Sequence, residues 1–106
     1  MTGEFICGFA DIPDNSGRGF EAGGLSLVVV RQGEKVFAYR NVCPHRGTPL
    51  NWMPDQFMNY DRRYIQCSTH GALFEPGSGL CVAGPCSGDY LQALPVKVVR
   101  KQVFLA

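Results

Sequence analysis

Short runs of apolar residues, broken by glycine and proline, dominate the chain, and none of them continues with the 3.6-residue spacing of a helix. In KVFAYR and PVKVVR the apolar residues occupy alternate positions, which is typical of half-buried strands. RQGEK separates two such runs and indicates a hairpin turn. The pattern predicts an all-β fold, a small antiparallel barrel or sandwich, with strands at about 4–9, 25–31, 35–40, 63–67, 71–74, 79–83, 94–99 and 102–105.

One irregular stretch, residues 49–62, interrupts this pattern. It carries the aromatic side chains Trp52, Phe57 and Tyr60. Disordered linkers are poor in aromatic residues, so a segment of this composition is not typical of a linker. We therefore expect this insert to pack onto the rest of the domain.

Length and charge exclude several classes of protein. The 106 residues suit one domain, 1–106, and the net charge of +1 comes from scattered side chains that form no basic face for nucleic acid. The first residues, MTGEFICGFADIPD, have neither the basic region nor the apolar core of a signal peptide or membrane span. With no long apolar surface evident, we expect a cytoplasmic monomer that binds no membrane.

Two short loops each supply one cysteine and one histidine. NVCPHRGTPL contains Cys43 and His45, and IQCSTHGALF contains Cys67 and His70. These loops use both histidines of the chain, and glycines beside them let the backbone bend close to a bound group. A chance placement of two core cysteines and two core histidines is therefore unlikely to explain the pattern.

Two kinds of metal site fit these four side chains. A structural zinc site accepts two cysteines and two histidines, although a zinc finger pairs like ligands within each loop. A two-iron cluster with unlike ends needs one ligand of each kind from each loop, as found here. With two Fe³⁺, two sulfides, two thiolates and two neutral imidazoles, its charge sums to about zero, so it accepts an electron more readily than an all-cysteine cluster.

The motifs C-x-H and C-x-x-H, together with the AGPC segment at 83–86, resemble the Rieske [2Fe–2S] family over nearly the whole chain, and Rieske-type ferredoxins in particular. The resemblance implies that Cys43 and Cys67 bind the inner iron and that His45 and His70 bind the outer, more exposed iron. It also implies a cluster-binding lobe at about 41–88, inserted into a small antiparallel β base domain. Gly84 and Pro85 would then cover the cluster.

The chain differs from the high-potential members of this family. Where those proteins carry a disulfide, this sequence has Thr48 and Thr69, and Leu73 stands where they place a hydroxyl residue near a cluster sulfur. Fewer hydrogen bonds to sulfur stabilise the reduced state less. We therefore predict no cluster disulfide and a low potential, near roughly −150 mV.

Residue counts favour an electron carrier over an enzyme. A mononuclear oxygenase iron needs two more histidines, and the chain has only His45 and His70. GRGFEA, residues 17–22, formally fits a nucleotide-binding motif, but no βαβ unit surrounds it and we interpret it as a loop. The sequence thus predicts a ferredoxin that passes electrons from a flavin-dependent reductase to a terminal oxygenase. The alternatives are a small subunit or accessory redox module of another oxidoreductase and a zinc-stabilised binding module without redox function.

The other three cysteines receive simpler interpretations. We expect Cys7 to be a buried thiol, and Cys81 and Cys86 to be thiols instead of a disulfide pair, as suits a cytoplasmic chain. For docking, we expect an apolar rim near the histidines, formed by Leu50, Trp52 and Pro85.

Overall fold

The computed structural model describes residues 4–42, 50, 57–58, 63–67, 71–84 and 88–106. These residues form short strands and one 3-10 turn at Phe9–Asp11, which confirms the predicted all-β class. The strands are β1 (Glu4–Gly8), β2 (Ser16–Ala22), β3 (Leu25–Gln32), β4 (Lys35–Arg40), β5 (Ile65–Gln66), β6 (Leu73–Phe74), β7 (Cys81–Ala83), β8 (Ala93–Leu94), β9 (Val96–Val99) and β10 (Gln102–Leu105). Within this part of the chain, no helix is long and apolar enough to span a membrane.

A four-stranded antiparallel sheet forms the middle of the molecule, in the order β2-β3-β4-β8. The run Leu27–Val30 in β3 is fully buried, because both faces of the sheet are covered. A strand that is buried on both faces has a continuous apolar run instead of an alternating one. β3 therefore contributes to two separate apolar cores.

The first core lies between this middle sheet and the sheet β1-β10-β9. The sheet β1-β10-β9 contributes Ile6, Cys7 and Val103, and the middle sheet contributes Leu27 and Val29. We call this set, with its neighbours, the base core; it also contains Ile12, Ala22 and Ala38.

The second core lies on the opposite face of the middle sheet, beneath the small sheet β5-β6-β7. We call it the lobe core, because it joins the predicted cluster-binding lobe to the base domain. Its buried members are Val28, Val30, Tyr39, Leu50, Phe57, Ile65, Cys67, Ala72, Phe74, Cys81 and Leu91. The lobe is thus packed directly on the middle sheet.

The interpretation of residues 17–22 as a loop is wrong. They lie in β2, which pairs along its whole length with β3, from Ser16 opposite Arg31 to Ala22 opposite Leu25. Gly17 faces the lobe core, where an added Cβ would lie 3.3 Å from side-chain atoms of Val28 and Val30 and 3.4 Å from Phe57. Glycine is needed there because its neighbours occupy the space of a side chain, and a G-x-G-x-x-A motif within an antiparallel strand has no phosphate-binding geometry.

The described residues of the aromatic insert pack onto the domain, whereas Trp52 and Tyr60 lie outside the described residues. Phe57 is buried in the lobe core, its carbonyl accepts a hydrogen bond of 2.8 Å from the amide of Gln66, and Met58 pairs with Ile65. Leu50 is fully buried as well, so the prediction that it lines an exposed docking rim is wrong. The other two predicted rim residues, Trp52 and Pro85, lie outside the described residues.

The turn between β9 and β10 offers a test of backbone strain. Arg100 and Lys101 form a two-residue turn with φ of +51° and +62°, a conformation that favours asparagine at the first position and glycine at the second. We expect Arg100→Asn to stabilise the fold by about 0.5–1 kcal/mol, because arginine tolerates positive φ less well than asparagine does. Thermal unfolding at a fixed heating rate measures this. Arg100→Gln is the control, since it removes the same charge without relieving the backbone; an equal gain in both variants would assign the effect to charge.

Candidate metal centre

The second Cys/His loop is closed at its base by backbone hydrogen bonds. The amide of Cys67 donates to the carbonyl of Ala72 at 2.9 Å, and the amide of Gly71 donates to the carbonyl of Cys67 at 2.7 Å. Gly71 has a φ of +69°, which lets the chain reverse directly after His70. Both ends of the loop are therefore fixed, while residues 68–70 themselves lie outside the described residues.

Cys67 is fully buried among the apolar side chains of the lobe core. A thiol in apolar surroundings is hard to ionise, whereas a metal ion deprotonates the thiol that binds it. A soft sulfur ligand shielded from water fits the inner position of a metal group held between the two loops. The structure thus places one of the four predicted ligands; Cys43, His45 and His70 lie outside the described residues.

The base of the first Cys/His loop is closed by a side chain. Asn41 directly follows β4, and its backbone amide donates a hydrogen bond of 3.0 Å to the carbonyl of Ser26. Its Oδ1 accepts a hydrogen bond of 2.8 Å from the amide of Leu50, nine residues further along the chain. Residues 43–49, which include Cys43 and His45, lie between these two fixed points.

Gly84 lies against Ala72, at the end of the second loop. Gly84 has a φ of +104°, and an added Cβ would lie 2.7 Å from the Cα of Ala72. The amide of Cys81 donates to the carbonyl of Asp89 at 2.7 Å, and the amide of Gly88 donates to the carbonyl of Cys81 at 3.1 Å, so both ends of the segment 81–89 are fixed. This contact supports the predicted covering role of Gly84.

Two cysteines outside the predicted ligand set are thiols. The Sγ of Cys81 donates a hydrogen bond to the carbonyl of Ala83 at 3.3 Å, whereas Cys86 lies outside the described residues. Cys7 is a buried thiol, as predicted; burial and the nearby Asp11 carboxylate raise its pKa to about 11. Such a thiol is protonated and unreactive at neutral pH.

Tyr39 connects the middle sheet to the lobe through a buried hydrogen bond. Its hydroxyl donates to the carbonyl of Pro76 at 2.6 Å, and its ring packs so closely on Gly79 that an added Cβ there would lie 2.8 Å from the ring. Burial, and to a lesser extent the charge of Glu75, raises the pKa of Tyr39 to about 12. The folded state therefore keeps this hydroxyl protonated as a donor.

We expect Tyr39→Phe to destabilise the protein by about 1–3 kcal/mol near neutral pH, because the Pro76 carbonyl loses a buried donor. The unfolded tyrosine ionises near pH 10 and the folded one near pH 12, so the stability that this residue contributes is complete below pH 10 and is lost as pH rises through 12. The gap in melting temperature between wild type and Tyr39→Phe should therefore narrow from pH 8 to pH 11. Tyr90→Phe, at a tyrosine that is 60% exposed, is the control; a gap that widened with pH would contradict this assignment.

Sequence reasoning did not identify the side-chain bonds of Asn41 and Tyr39. The only signal for Asn41 is its place at a strand end, where an asparagine side chain readily bonds to nearby backbone. Nothing local to the sequence indicates that Tyr39 would meet Pro76, 37 residues away. Both contacts depend on how the lobe packs on the sheet.

Comparison with known proteins agrees with this geometry. A model of the Rieske [2Fe–2S] domain matches residues 4–100. The ferredoxin of carbazole 1,9a-dioxygenase from Nocardioides aromaticivorans IC177 superposes with a TM-score of 0.81 at 24% identity, covering 100% of this chain and 98% of that one. A search of curated protein sequences finds no match.

Two further solved structures are similar. A complex of reduced oxygenase and oxidized ferredoxin in carbazole 1,9a-dioxygenase contains a chain with a TM-score of 0.75 at 25% identity, covering 96% of this chain and 90% of that one. The terminal oxygenase of carbazole 1,9a-dioxygenase from Novosphingobium sp. KA1 has a TM-score of 0.80 at 24% identity, but the match covers 96% of this chain and only 29% of that one.

The family match spans nearly the whole chain and decides between the two metal sites that the sequence left open. This family binds a two-iron cluster and not a zinc ion. The chain belongs to the Rieske [2Fe–2S] domain family and holds one such cluster.

Proposed function

We propose that this protein is a one-electron carrier, a ferredoxin that takes electrons from a flavin-dependent reductase and delivers them to a terminal oxygenase. One observation carries the proposal: the chain corresponds to 98% of a ferredoxin of a dioxygenase system but to 29% of an oxygenase chain. The match thus covers nearly all of a known electron carrier but only part of an oxygenase chain. The structure of an oxygenase–ferredoxin complex, one chain of which is similar to this protein, supports the oxygenase as electron acceptor.

The proposed ligands are Cys43 and Cys67 for the inner iron and His45 and His70 for the outer iron. The burial of Cys67 supports its assignment to the inner, water-excluded position. When bound, the cluster supplies a reversible one-electron couple. The two histidines would lie nearest the partner, because the outer iron is the more exposed one in this arrangement.

The protein's own residues hold and shield this group. The backbone bonds from Cys67 to Ala72 and from Gly71 to Cys67 keep the second loop closed, and Gly84 covers it through close contact with Ala72. Exclusion of water from the inner iron protects the sulfur ligands from protons and competing donors. It also raises the electrostatic effect of every hydrogen bond near the cluster.

The proposal includes a low potential. Leu73, at the position where a hydroxyl residue would bond to a cluster sulfur, is a partly buried residue of β6 that offers no side-chain donor. Together with Thr48 and Thr69 in place of a disulfide, this favours a potential near roughly −150 mV. Protein-film voltammetry measures it, and a midpoint far into positive values would contradict this part of the proposal.

The first test combines spectroscopy with a count of metals on one sample. We expect two irons and no zinc per chain, and, after reduction with dithionite, a rhombic EPR signal with the low average g of a histidine-ligated cluster. A silent spectrum with one zinc per chain would contradict the carrier and favour a structural metal site.

The second test distinguishes the carrier from an accessory redox module of another oxidoreductase. A carrier should restore NADH-driven turnover to a reductase–oxygenase pair that lacks its ferredoxin. Failure with several such pairs, while the EPR signal is present, would favour the accessory module. The proposal also includes a cytoplasmic monomer.

A further inference from the structure

The two Cys/His loops are closed in different ways. The second loop is closed by two backbone bonds, from the amide of Cys67 to Ala72 and from the amide of Gly71 to Cys67. The first loop is crossed at its base by the bond from the Leu50 amide to Oδ1 of Asn41. A side-chain bond therefore crosses the base of the first loop, and backbone bonds cross the base of the second.

Both partners of this side-chain bond are held by the rest of the fold. The backbone amide of Asn41 donates to Ser26 of β3 and so extends the middle sheet, and the amide of Val42 donates to the carbonyl of Arg40 at 2.8 Å, which forms a tight turn at the start of the loop. Leu50 has no exposed surface and packs in the lobe core. The bond therefore joins two rigid points and sets the distance between the ends of the loop.

We propose that Asn41 is the positioning residue of the first cluster loop, which keeps Cys43 and His45 at the separation that the cluster requires. The inference rests on the proposed ligand set. Asn41 acts through the Leu50 amide and does not itself touch the iron. Ligands held in place before binding lose less conformational freedom when they bind, so release of the metal is slow.

Two substitutions separate the hydrogen bond from the shape of the side chain. Asn41→Asp keeps an oxygen acceptor at the same position, and Asn41→Leu keeps the branched shape but offers no acceptor. If Asn41→Leu does not fold, Asn41→Ala measured at low temperature gives the same comparison. Tyr39→Phe serves as the matched control, because it also removes one buried hydrogen bond beside the lobe core but leaves the first loop untouched.

The measurement is the rate of iron transfer from the loaded protein to an excess of iron chelator, followed by the loss of visible absorption. We expect Asn41→Leu to release iron about ten times faster than wild type, a loss of about 1.4 kcal/mol in barrier height. Asn41→Asp should remain within about threefold of wild type. The EPR lines of Asn41→Leu should also broaden, because the first loop then samples several arrangements.

Three outcomes would overturn the inference. Iron release from Asn41→Leu at the wild-type rate would show that the loop needs no side-chain closure. If Asn41→Leu and Tyr39→Phe accelerate iron release equally and lower the melting temperature equally, Asn41 contributes only to overall stability. Acceleration in Asn41→Asp as large as in Asn41→Leu would show that the acceptor is not what matters.

Failure of the proposed function would be recognised separately. It would show in wild-type protein as the absence of two irons and of the rhombic EPR signal. If wild type has both and only the Asn41 variants behave otherwise than expected, the carrier proposal stands and the positioning role is wrong.

Discussion

Cys67→Ala is expected to abolish the cluster, reducing the iron content from two per chain to none and removing the visible colour. Cys67 is buried in apolar surroundings, and alanine offers no sulfur to bind the iron in its place. Metal binding contributes to folding free energy, so the melting temperature should also fall to that of the iron-free wild type. Iron analysis, visible absorption and thermal unfolding measure these effects.

Cys81→Ala is the matched control for this experiment. Cys81 lies in the same lobe core and is 2% exposed, but it is not a proposed ligand. Its loss removes a similar volume and a weak hydrogen bond to Ala83, so we expect destabilisation of about 1 kcal/mol with full iron content. Loss of iron from both variants to the same extent would show that core packing, and not ligation by Cys67, retains the metal.

Gly84→Ala is expected to destabilise the protein by about 2–5 kcal/mol, the second large effect. The substitution places a methyl group 2.7 Å from the Cα of Ala72 and forces an L residue into φ of +104°. Backbone strain contributes about 1–3 kcal/mol and overpacking a similar amount. Because the atoms it would strike belong to the backbone beside the second cluster loop, faster iron release should accompany the loss of stability.

Gly88→Ala isolates the contribution of the close approach. Gly88 has a similar φ of +93°, but no atom lies within 4 Å of its added Cβ. Gly88→Ala should therefore lose stability only through backbone strain. Its melting temperature should exceed that of Gly84→Ala by about 4–8 °C for each kcal/mol that overpacking costs Gly84→Ala. Equal melting temperatures would mean that the segment at 84 moves away from Ala72 without cost and does not act as a rigid cover.

The local sequence pattern predicted the strands in which the apolar residues are the buried ones and the polar residues the exposed ones. β4 and β10 have the predicted bounds, and the RQGEK turn lies between Gln32 and Lys35 with Gly33 at φ of +60°. The predicted run at 94–99 is divided into β8 and β9 at Pro95, which has no amide to continue a ladder. β2 was missed because Gly17 and Gly19 give it no alternating side chains; contacts from Val28, Val30 and Phe57 specify it instead.

Some features of the candidate site could likewise be predicted from local sequence, and others could not. The ligand motifs are local, because each loop must present two donors within four residues, and the sequence therefore predicted the family. The prediction of an exposed Leu50 was wrong because the position of that residue depends on its bond to Asn41 and on the lobe core, and both involve residues distant in the chain. The closing contacts of the site are tertiary, and no local pattern encodes them.

Cys67, the proposed ligand that the structure describes, lies in the lobe core and not in the base core, although the two cores share β3. Removal of iron therefore leaves one half of the molecule with all its apolar contacts. During biosynthesis, a newly made chain would have a folded platform before any metal arrives. Amide hydrogen exchange in the apoprotein would then show protected β10 beside a rapidly exchanging β5.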